Sequence, residues 1–189
     1  MKILVFTEGT VIMHKSAENV TREERVEQSR LVGIQREEAL LAYNSGFDIP
    51  TTPGSPFDSA NYVPIGNVVQ KLTSWKKQGA AICYLTSRRV RQDIEAIGDV
   101  LNRNNFPDSQ NLYFRKQGED YKNVVERITP VPDVLLEDDC ESIGGEKEMT
   151  YPHLKQELKS KIKSIVVKEF GGIDYLPDNI NELMKYSSC

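Results

Sequence analysis

Residues 64–86, PIGNVVQKLTSWKKQGAAICYLT, contain the pattern that decides the fold. Pro64 predicts the start of a helix, because proline is favoured in the first helical turn. The apolar residues that follow form one stripe at helical spacing: Val68, Val69, Leu72 and Trp75. Gly79 predicts the end of this helix, and residues 80–85, AAICYL, are a continuous apolar run typical of a strand buried on both faces. A helix followed directly by such a strand is the repeating unit of a parallel α/β sheet.

The same alternation extends to both ends of the chain. Further strands are predicted at residues 3–6, 112–114, 134–137 and 164–168, and further helices at 90–104, 121–128, 154–163 and 179–184. This pattern predicts a three-layer α/β/α sandwich around a mainly parallel, Rossmann-like sheet. The 189 residues suit a single domain, 1–189.

Residues 13–61 interrupt the alternation between the first two strands. Thr21 and Glu24 form a capping-box pattern that starts a charged helix directed toward residues 40–43. Residues 49–56 are rich in Pro, Gly and Ser and predict a long loop. We therefore expect 13–61 to be a small helical cap inserted into the domain.

Composition excludes several classes of protein. The net charge of −4 and the sequence pI of about 5.4 do not indicate a nucleic-acid binder. The longest apolar runs are far shorter than a membrane span, and the start of the chain lacks a signal-peptide core, so a cytoplasmic protein is expected. Three scattered cysteines without a CxxC pair argue against a zinc cluster or a disulfide framework.

Candidate functional residues follow the predicted strands, because ligands bind outside the carboxyl ends of parallel strands. Thr7 and Glu8 follow the first strand, Asp138 and Asp139 follow the 134–137 strand, and the second strand is followed by three polar residues: Thr86, Ser87 and Arg88. Lys122 lies near the start of a helix between these strands. Hard carboxylate oxygens suit Mg²⁺, and hydroxyl and cationic groups suit phosphate. His14 also follows the first strand, and we expect it to be structural.

These four motifs, in this order, resemble those of haloacid dehalogenase-like proteins. Glu8-Gly9-Thr10, Thr86, Lys122 and Asp138-Asp139 stand at the matching places, and the segment 64–86 is similar to the family's helix-Gly-strand-Thr unit. The resemblance implies an HAD-like fold with a cap at 13–61, a Mg²⁺ site at Glu8, Asp138 and Asp139, and a phosphate site at Thr86, Ser87, Arg88 and Lys122. It also implies a small phosphorylated molecule as substrate.

The first motif departs from the family pattern, Asp-x-Asp-Gly-Thr, in which the first Asp attacks phosphorus. Counting back from Gly9, Glu8 takes the second acidic position and Phe6 the first; aligning from Phe6 instead puts Thr7 at the nucleophile position. Neither alignment supplies an aspartate, so the catalytic candidates are Thr7 and Glu8. Adjacent strand residues point to opposite faces, so we expect the Glu8 and Thr7 side chains to point apart.

Three functions remain open from the sequence. The first is Mg²⁺-dependent hydrolysis of a small phosphomonoester by a mechanism without an aspartyl-phosphate. The second is a catalytically inactive HAD-like protein that binds a phosphate-containing ligand. The third is a protein-interaction module that uses the charged helix from Thr21 to Glu38.

Overall fold

The computed structural model describes residues 1–32 and 52–187. The strands are β1 Lys2–Phe6, β2 Ile12–Met13, β3 Val63–Pro64, β4 Ala81–Leu85, β5 Leu112–Tyr113, β6 Val134–Asp138 and β7 Lys163–Val167. The helices are α1 Arg22–Val32, α2 Val68–Lys77, α3 Arg91–Arg103, α4 Tyr121–Arg127, α5 Gln156–Lys159 and α6 Ile180–Lys185. None of the described helices is long and apolar enough to span a membrane.

Five of these strands form a parallel sheet in the order β5-β4-β1-β6-β7. β1 lies at its centre, and Ile3, Leu4 and Val5 are fully buried. Alternate residues of β1 contribute to different cores: Ile3 packs with residues of α2, α3 and α6, whereas Leu4 packs with residues of α4. Helices therefore cover both faces, and the predicted three-layer α/β architecture is confirmed.

The segment 64–86 behaves largely as its pattern predicts. Leu72 and Trp75 of α2 are fully buried, which stabilises the fold by about 2–3 kcal/mol for each side chain. The Trp75 Nε1–H donates to Pro177 O at 2.9 Å. Gly79 adopts a φ of +98° just beyond the helix, so its predicted role in ending α2 is confirmed.

The helix does not begin at Pro64, however. Pro64 pairs with Ile12 and Val63 with Met13 in a two-stranded antiparallel ribbon, β2–β3. Gly66 then turns the chain with a φ of +56°, and α2 starts only at Val68. The prediction was wrong because extended pairing with β2 overrides the helix-start preference of proline.

The predicted helix at residues 154–163 is also mostly wrong, because only the four residues of α5 are helical. Leu154 and Ile162 are both buried in the core on the α4 side. Lys163 N donates to Asp133 O at 2.8 Å as β7 begins. The chain must therefore turn into the sheet before a longer helix can form.

The two ends of the predicted insertion meet at the β2–β3 ribbon. The capping box at the start of α1 is confirmed: Thr21 N donates to Glu24 Oε2 at 2.7 Å, and Glu24 N donates to Thr21 Oγ1 at 3.2 Å. The predicted continuation of this helix to residues 38–43, and the loop residues 49–51, lie outside the described residues. The cap itself therefore remains a prediction.

Candidate functional site

A cavity of about 50 Å³ lies at the carboxyl ends of β1, β4 and β6. Its wall includes Phe6 and Glu8 after β1, Ser87 and Arg88 after β4, and Asp138 at the end of β6. This volume holds roughly four water molecules, so it admits a group of phosphate size. Parallel strands end at one edge of the sheet, which explains why the predicted motifs meet here.

Glu8 is held by donors from two loops. Its Oε2 accepts from Thr7 Oγ1 at 2.6 Å and from Ser87 N at 2.9 Å, and its Oε1 accepts from Thr86 Oγ1 at 2.5 Å. The Arg88 Nε lies 3.6 Å from Oε1. The Glu8 carboxylate therefore occupies the donors of Thr86 and Ser87, two residues that the resemblance assigned to a phosphate site.

Thr7 and Glu8 do not point apart, contrary to expectation. β1 ends at Phe6, so the strand alternation no longer applies to the two residues that follow it. Thr7 and Thr86 are both fully buried, and neither is part of the cavity wall. Their hydroxyl groups support Glu8 and do not face the cavity.

Phe6, which one of the two alignments places at the nucleophile position, carries an apolar ring. The ring packs against Tyr121 with centroids 4.9 Å apart and planes at 73°. The Arg115 guanidinium carbon lies 3.9 Å from the centroid of the same Tyr121 ring. Tyr121 and Glu148 line both this cavity and a neighbouring cleft, so they form part of the boundary between the two.

Lys122 lines the neighbouring cleft with Arg115, Lys147 and His153. Its ammonium is 3.9 Å from Asp120 Oδ2, and the side chain is 42% exposed. Lys122 is therefore not among the residues that line the cavity with Ser87 and Arg88. Strand order alone could not predict this, because the lining of each space depends on how the side chains pack.

Asp138 is buried beneath Gly9 and Thr10. Thr10 Oγ1 donates to its Oδ2 at 2.7 Å, and Cys140 N donates to its Oδ1 at 2.9 Å. Burial raises the pKa of Asp138 to about 6. Gly9 has a φ of +80°, and a Cβ there would lie 2.9 Å from Asp138 Oδ2 and 3.3 Å from Glu169 Cγ. Only glycine lets the two carboxyl side chains come this close to the backbone.

Glu169 is a site residue that sequence reasoning missed. It follows β7, lines the cavity and accepts from Ser142 N and Ser142 Oγ, both at 2.6 Å. Burial, followed by repulsion from Asp138, raises the pKa of Glu169 to about 7. The sequence did contain a signal for Glu169, namely an acidic residue close after a strand. The same signal identified Asp138 and Asp139 at the end of β6.

Asp139 points away from this pair. Its Oδ2 lies 2.9 Å from the Lys168 ammonium, and its Oδ1 accepts from Glu169 N at 3.0 Å. Burial opposes its ionisation, but Lys168 and the backbone hydrogen bond hold the pKa of Asp139 below its usual value. Asp139 is thus engaged in joining the loops after β6 and β7.

The predicted metal-binding trio of Glu8, Asp138 and Asp139 is not assembled. Within residues 1–32 and 52–187, no group of three or more acidic, histidine or cysteine side chains is placed to hold a metal ion. Two neighbouring carboxyls remain, Asp138 and Glu169, and Mg²⁺ takes one or two carboxylates from a protein. Their hard oxygens fit such an ion, so these two residues would hold it.

His14 lines the cavity, as does Ser29 of α1. The His14 side chain is 2% exposed, its Nδ1 lies 2.8 Å from Ser16 Oγ, and its Nε2 has no hydrogen-bond partner among the described residues. Burial, with Arg25 and Arg88 nearby, lowers the pKa of His14 to about 4. The expectation of a structural histidine accounts for Nδ1 and leaves Nε2 unexplained.

α1 contacts the core through arginines. Arg22 Nε donates to Glu169 O at 2.9 Å, and Arg22 Nη2 donates to Glu141 Oε2 at 2.5 Å. Arg25 Nη1 donates to Phe170 O at 3.4 Å. This face of α1 is therefore occupied within the chain, and the protein-interaction helix stays a prediction.

Glu137 holds the end of the segment 140–153 in place. Its buried carboxylate accepts from Thr150 N at 2.6 Å and from Tyr151 N at 2.9 Å. Glu137 and Asp138 are adjacent in β6 and therefore point to opposite faces. Glu137 fixes the returning loop, while Asp138 faces Thr10.

No family model matches the sequence, and no curated protein matches it. Two solved structures share the fold. The Bacillus anthracis class C acid phosphatase with tungstate bound aligns with a TM-score of 0.53 at 14% identity, covering 90% of this chain and 68% of that one. A second structure of the class C acid phosphatase from Bacillus anthracis aligns with a TM-score of 0.51 at 11% identity, covering 97% and 77%. The fold is haloacid dehalogenase-like. At these identities the likeness establishes the HAD-like fold alone, and the chemistry must be argued from the residues of this chain.

Proposed function

We propose that this HAD-like chain binds a small phosphorylated molecule in the cavity at the ends of β1, β4 and β6 without forming a covalent phospho-enzyme. The observation that carries the proposal is Phe6, whose ring lines the cavity and packs on Tyr121. A phenyl ring has no lone pair with which to attack phosphorus, and covalent catalysis needs a nucleophilic side chain.

The surroundings of Glu8 support this proposal. In a phosphatase of this fold, hydroxyl and backbone donors would be expected to stabilise charge on the transferred group. Here the Thr86 hydroxyl and the Ser87 N–H donate to Glu8. Transition-state stabilisation at these donors would require Glu8 to leave them.

The acid phosphatase with tungstate bound shows an oxyanion held by a protein of this fold. In this chain, Arg88 is 3% exposed and lines the cavity, which places a guanidinium in its wall beside the Glu8 carboxylate, 3.6 Å away. Together, Arg88 in the cavity wall and the tungstate bound by a protein of this fold support binding of an anion more strongly than its hydrolysis.

A second candidate, Mg²⁺-dependent hydrolysis by water, is favoured by the pair Asp138 and Glu169. Carboxylates are the groups that Mg²⁺ takes from a protein, and these two side chains are neighbours in the cavity wall. Mg²⁺, held by Asp138 and Glu169, would supply neutralisation of the phosphate charge.

Phosphate release and ligand binding, measured on one panel of phosphomonoesters, distinguish the two candidates. The native protein and Asp138→Asn are each assayed with and without Mg²⁺, and the melting temperature is recorded with every compound. The binding proposal expects no release at high protein concentration and a raised melting temperature with at least one compound. Mg²⁺-dependent release that Asp138→Asn abolishes would instead establish the hydrolase.

A further inference from the structure

His14, which lines the cavity, carries an unused donor or acceptor, its Nε2. The side chain is 2% exposed, and Nε2 has no partner among the described residues. Leaving a buried polar atom unsatisfied is unfavourable, and native structures keep few such atoms. An atom of this kind in a cavity wall indicates a place for a polar group of a ligand.

The surroundings of His14 favour an anionic ligand group. Burial, with Arg25 and Arg88 nearby, lowers the pKa of His14, so the imidazole is neutral. The nearby positive charge comes from the two arginines, of which Arg88 also lies 3.6 Å from the Glu8 carboxylate. When the Ser16 hydroxyl donates to Nδ1, the ring proton resides on Nε2 and can be donated to the ligand.

Two aromatic rings fix the direction of that N–H. The His14 ring lies 6.4 Å from Tyr62 at 65° and 6.1 Å from Phe170 at 85°, measured between centroids and planes. Ser29 of α1, 5% exposed, lines the same cavity. A rigid, neutral donor beside positive charge is suited to an oxyanion.

We propose that a phosphate oxygen of the ligand accepts a hydrogen bond from His14 Nε2–H, beside the charge of Arg88, and that this subsite replaces the one at Thr86 and Ser87 occupied by the Glu8 carboxylate. The inference rests on the proposed function and deepens it by naming where the phosphate lies. The phosphate lies in the cavity that His14 lines and not in the cleft that Lys122 lines.

Imidazole NMR of the native protein, with inorganic phosphate as the probe, tests this directly. The chain has two histidines, so each ring can be assigned. His153 serves as the internal control, because its Nε2 lies 3.0 Å from Lys147 O in the neighbouring cleft. Saturable phosphate binding should shift the His14 nitrogen signals and leave those of His153 in place. The free protein should show His14 as the neutral Nε2–H tautomer.

Four variants complete the test. His14→Phe keeps a packed ring without nitrogen and should weaken phosphate binding about tenfold, whereas His14→Gln retains a polar end and should lose less. Lys155→Ala removes an exposed charge that pairs with Glu126 and is the matched control for Lys122→Ala, which removes the same charge. If phosphate binds but the His14 signals stay fixed and Lys122→Ala weakens binding instead, the subsite is refuted while the proposed function stands. If neither phosphate nor any phosphomonoester binds, both are refuted.

Discussion

Replacing Glu8 by glutamine keeps the size of the side chain but removes its charge and one acceptor. The Glu8 carboxylate accepts from Thr7, Thr86 and Ser87 at 2.5–2.9 Å and lies 3.6 Å from Arg88 Nε. Glutamine has one acceptor oxygen, which best serves Thr7 and the Ser87 N–H. Its amide nitrogen would then face Thr86 and the Arg88 guanidinium, which has only protons to offer.

The cost of this change follows from those contacts. A hydrogen bond to a charged group contributes about 1.5–3 kcal/mol, and leaving one partner of a buried ion pair alone costs about 3–5 kcal/mol. Because the glutamine oxygen preserves part of the network, we expect Glu8→Gln to lose about 3 kcal/mol of unfolding free energy. In a domain of this size, that corresponds to a melting temperature lower by roughly 6–12 °C.

Urea unfolding followed by far-ultraviolet circular dichroism measures the loss. Glu23→Gln is the matched control, because the Glu23 side chain is 79% exposed and lies 3.9 Å from Arg22, so its change should stay within about 0.5 kcal/mol. A loss below about 1 kcal/mol for Glu8→Gln would show that Glu8 does not bridge the loops after β1 and β4.

Three further predictions concern the acidic pair. The pKa of Glu169 is raised from 4.5 to about 7, so its stabilising contribution is complete below about pH 4.5 and is lost as pH rises through 7. Between those values, the unfolding free energy of Glu169→Gln should gain about 3 kcal/mol relative to that of the native protein. A difference that stays the same across this pH range would contradict the raised pKa. Mg²⁺ should raise the melting temperature more at pH 8 than at pH 5, because Asp138 and Glu169 hold their protons at pH 5. Asp138→Asn should remove this effect. Equal stabilisation of the variant by Mg²⁺ would show that the ion binds elsewhere. Gly9→Ala and Gly118→Ala both force alanine into a φ near +80°, but only at Gly9 would the new Cβ meet Asp138. Chemical denaturation should therefore show a loss of unfolding free energy that is larger for Gly9→Ala by about 1–3 kcal/mol. Equal losses in the two variants would argue against the close approach of Asp138 to Gly9.

The sheet was predictable because its evidence is local. β1, β4 and β6 are short apolar runs followed by polar residues, and burial on both faces leaves few other arrangements for such runs. Pro64 was misassigned because its partner strand, Ile12–Met13, is distant in sequence and only two residues long. A propensity describes one segment, whereas pairing depends on two.

The site was predictable to the level of which loops meet, but not which side chains touch. Glu8 was placed at the right edge of the sheet, yet its partners depend on the β1–β4 register, in which Phe6 lies beside Leu85. Lys122 was expected with the phosphate groups, but it lines the neighbouring cleft and not the cavity that Arg88 lines. Contacts of this kind arise from packing, and a sequence pattern does not encode them at a fixed spacing.

The β2–β3 ribbon marks the place where one segment of the chain could be replaced by another. Met13 and Val63 lie side by side, so the polypeptide leaves the sheet and returns to it through neighbouring residues. In evolution, the segment between them could change in length or be replaced without altering the register of β1 or β4. Because His14, Ser29 and Tyr62 line the cavity from within that segment, each replacement would give the same sheet a new ligand preference.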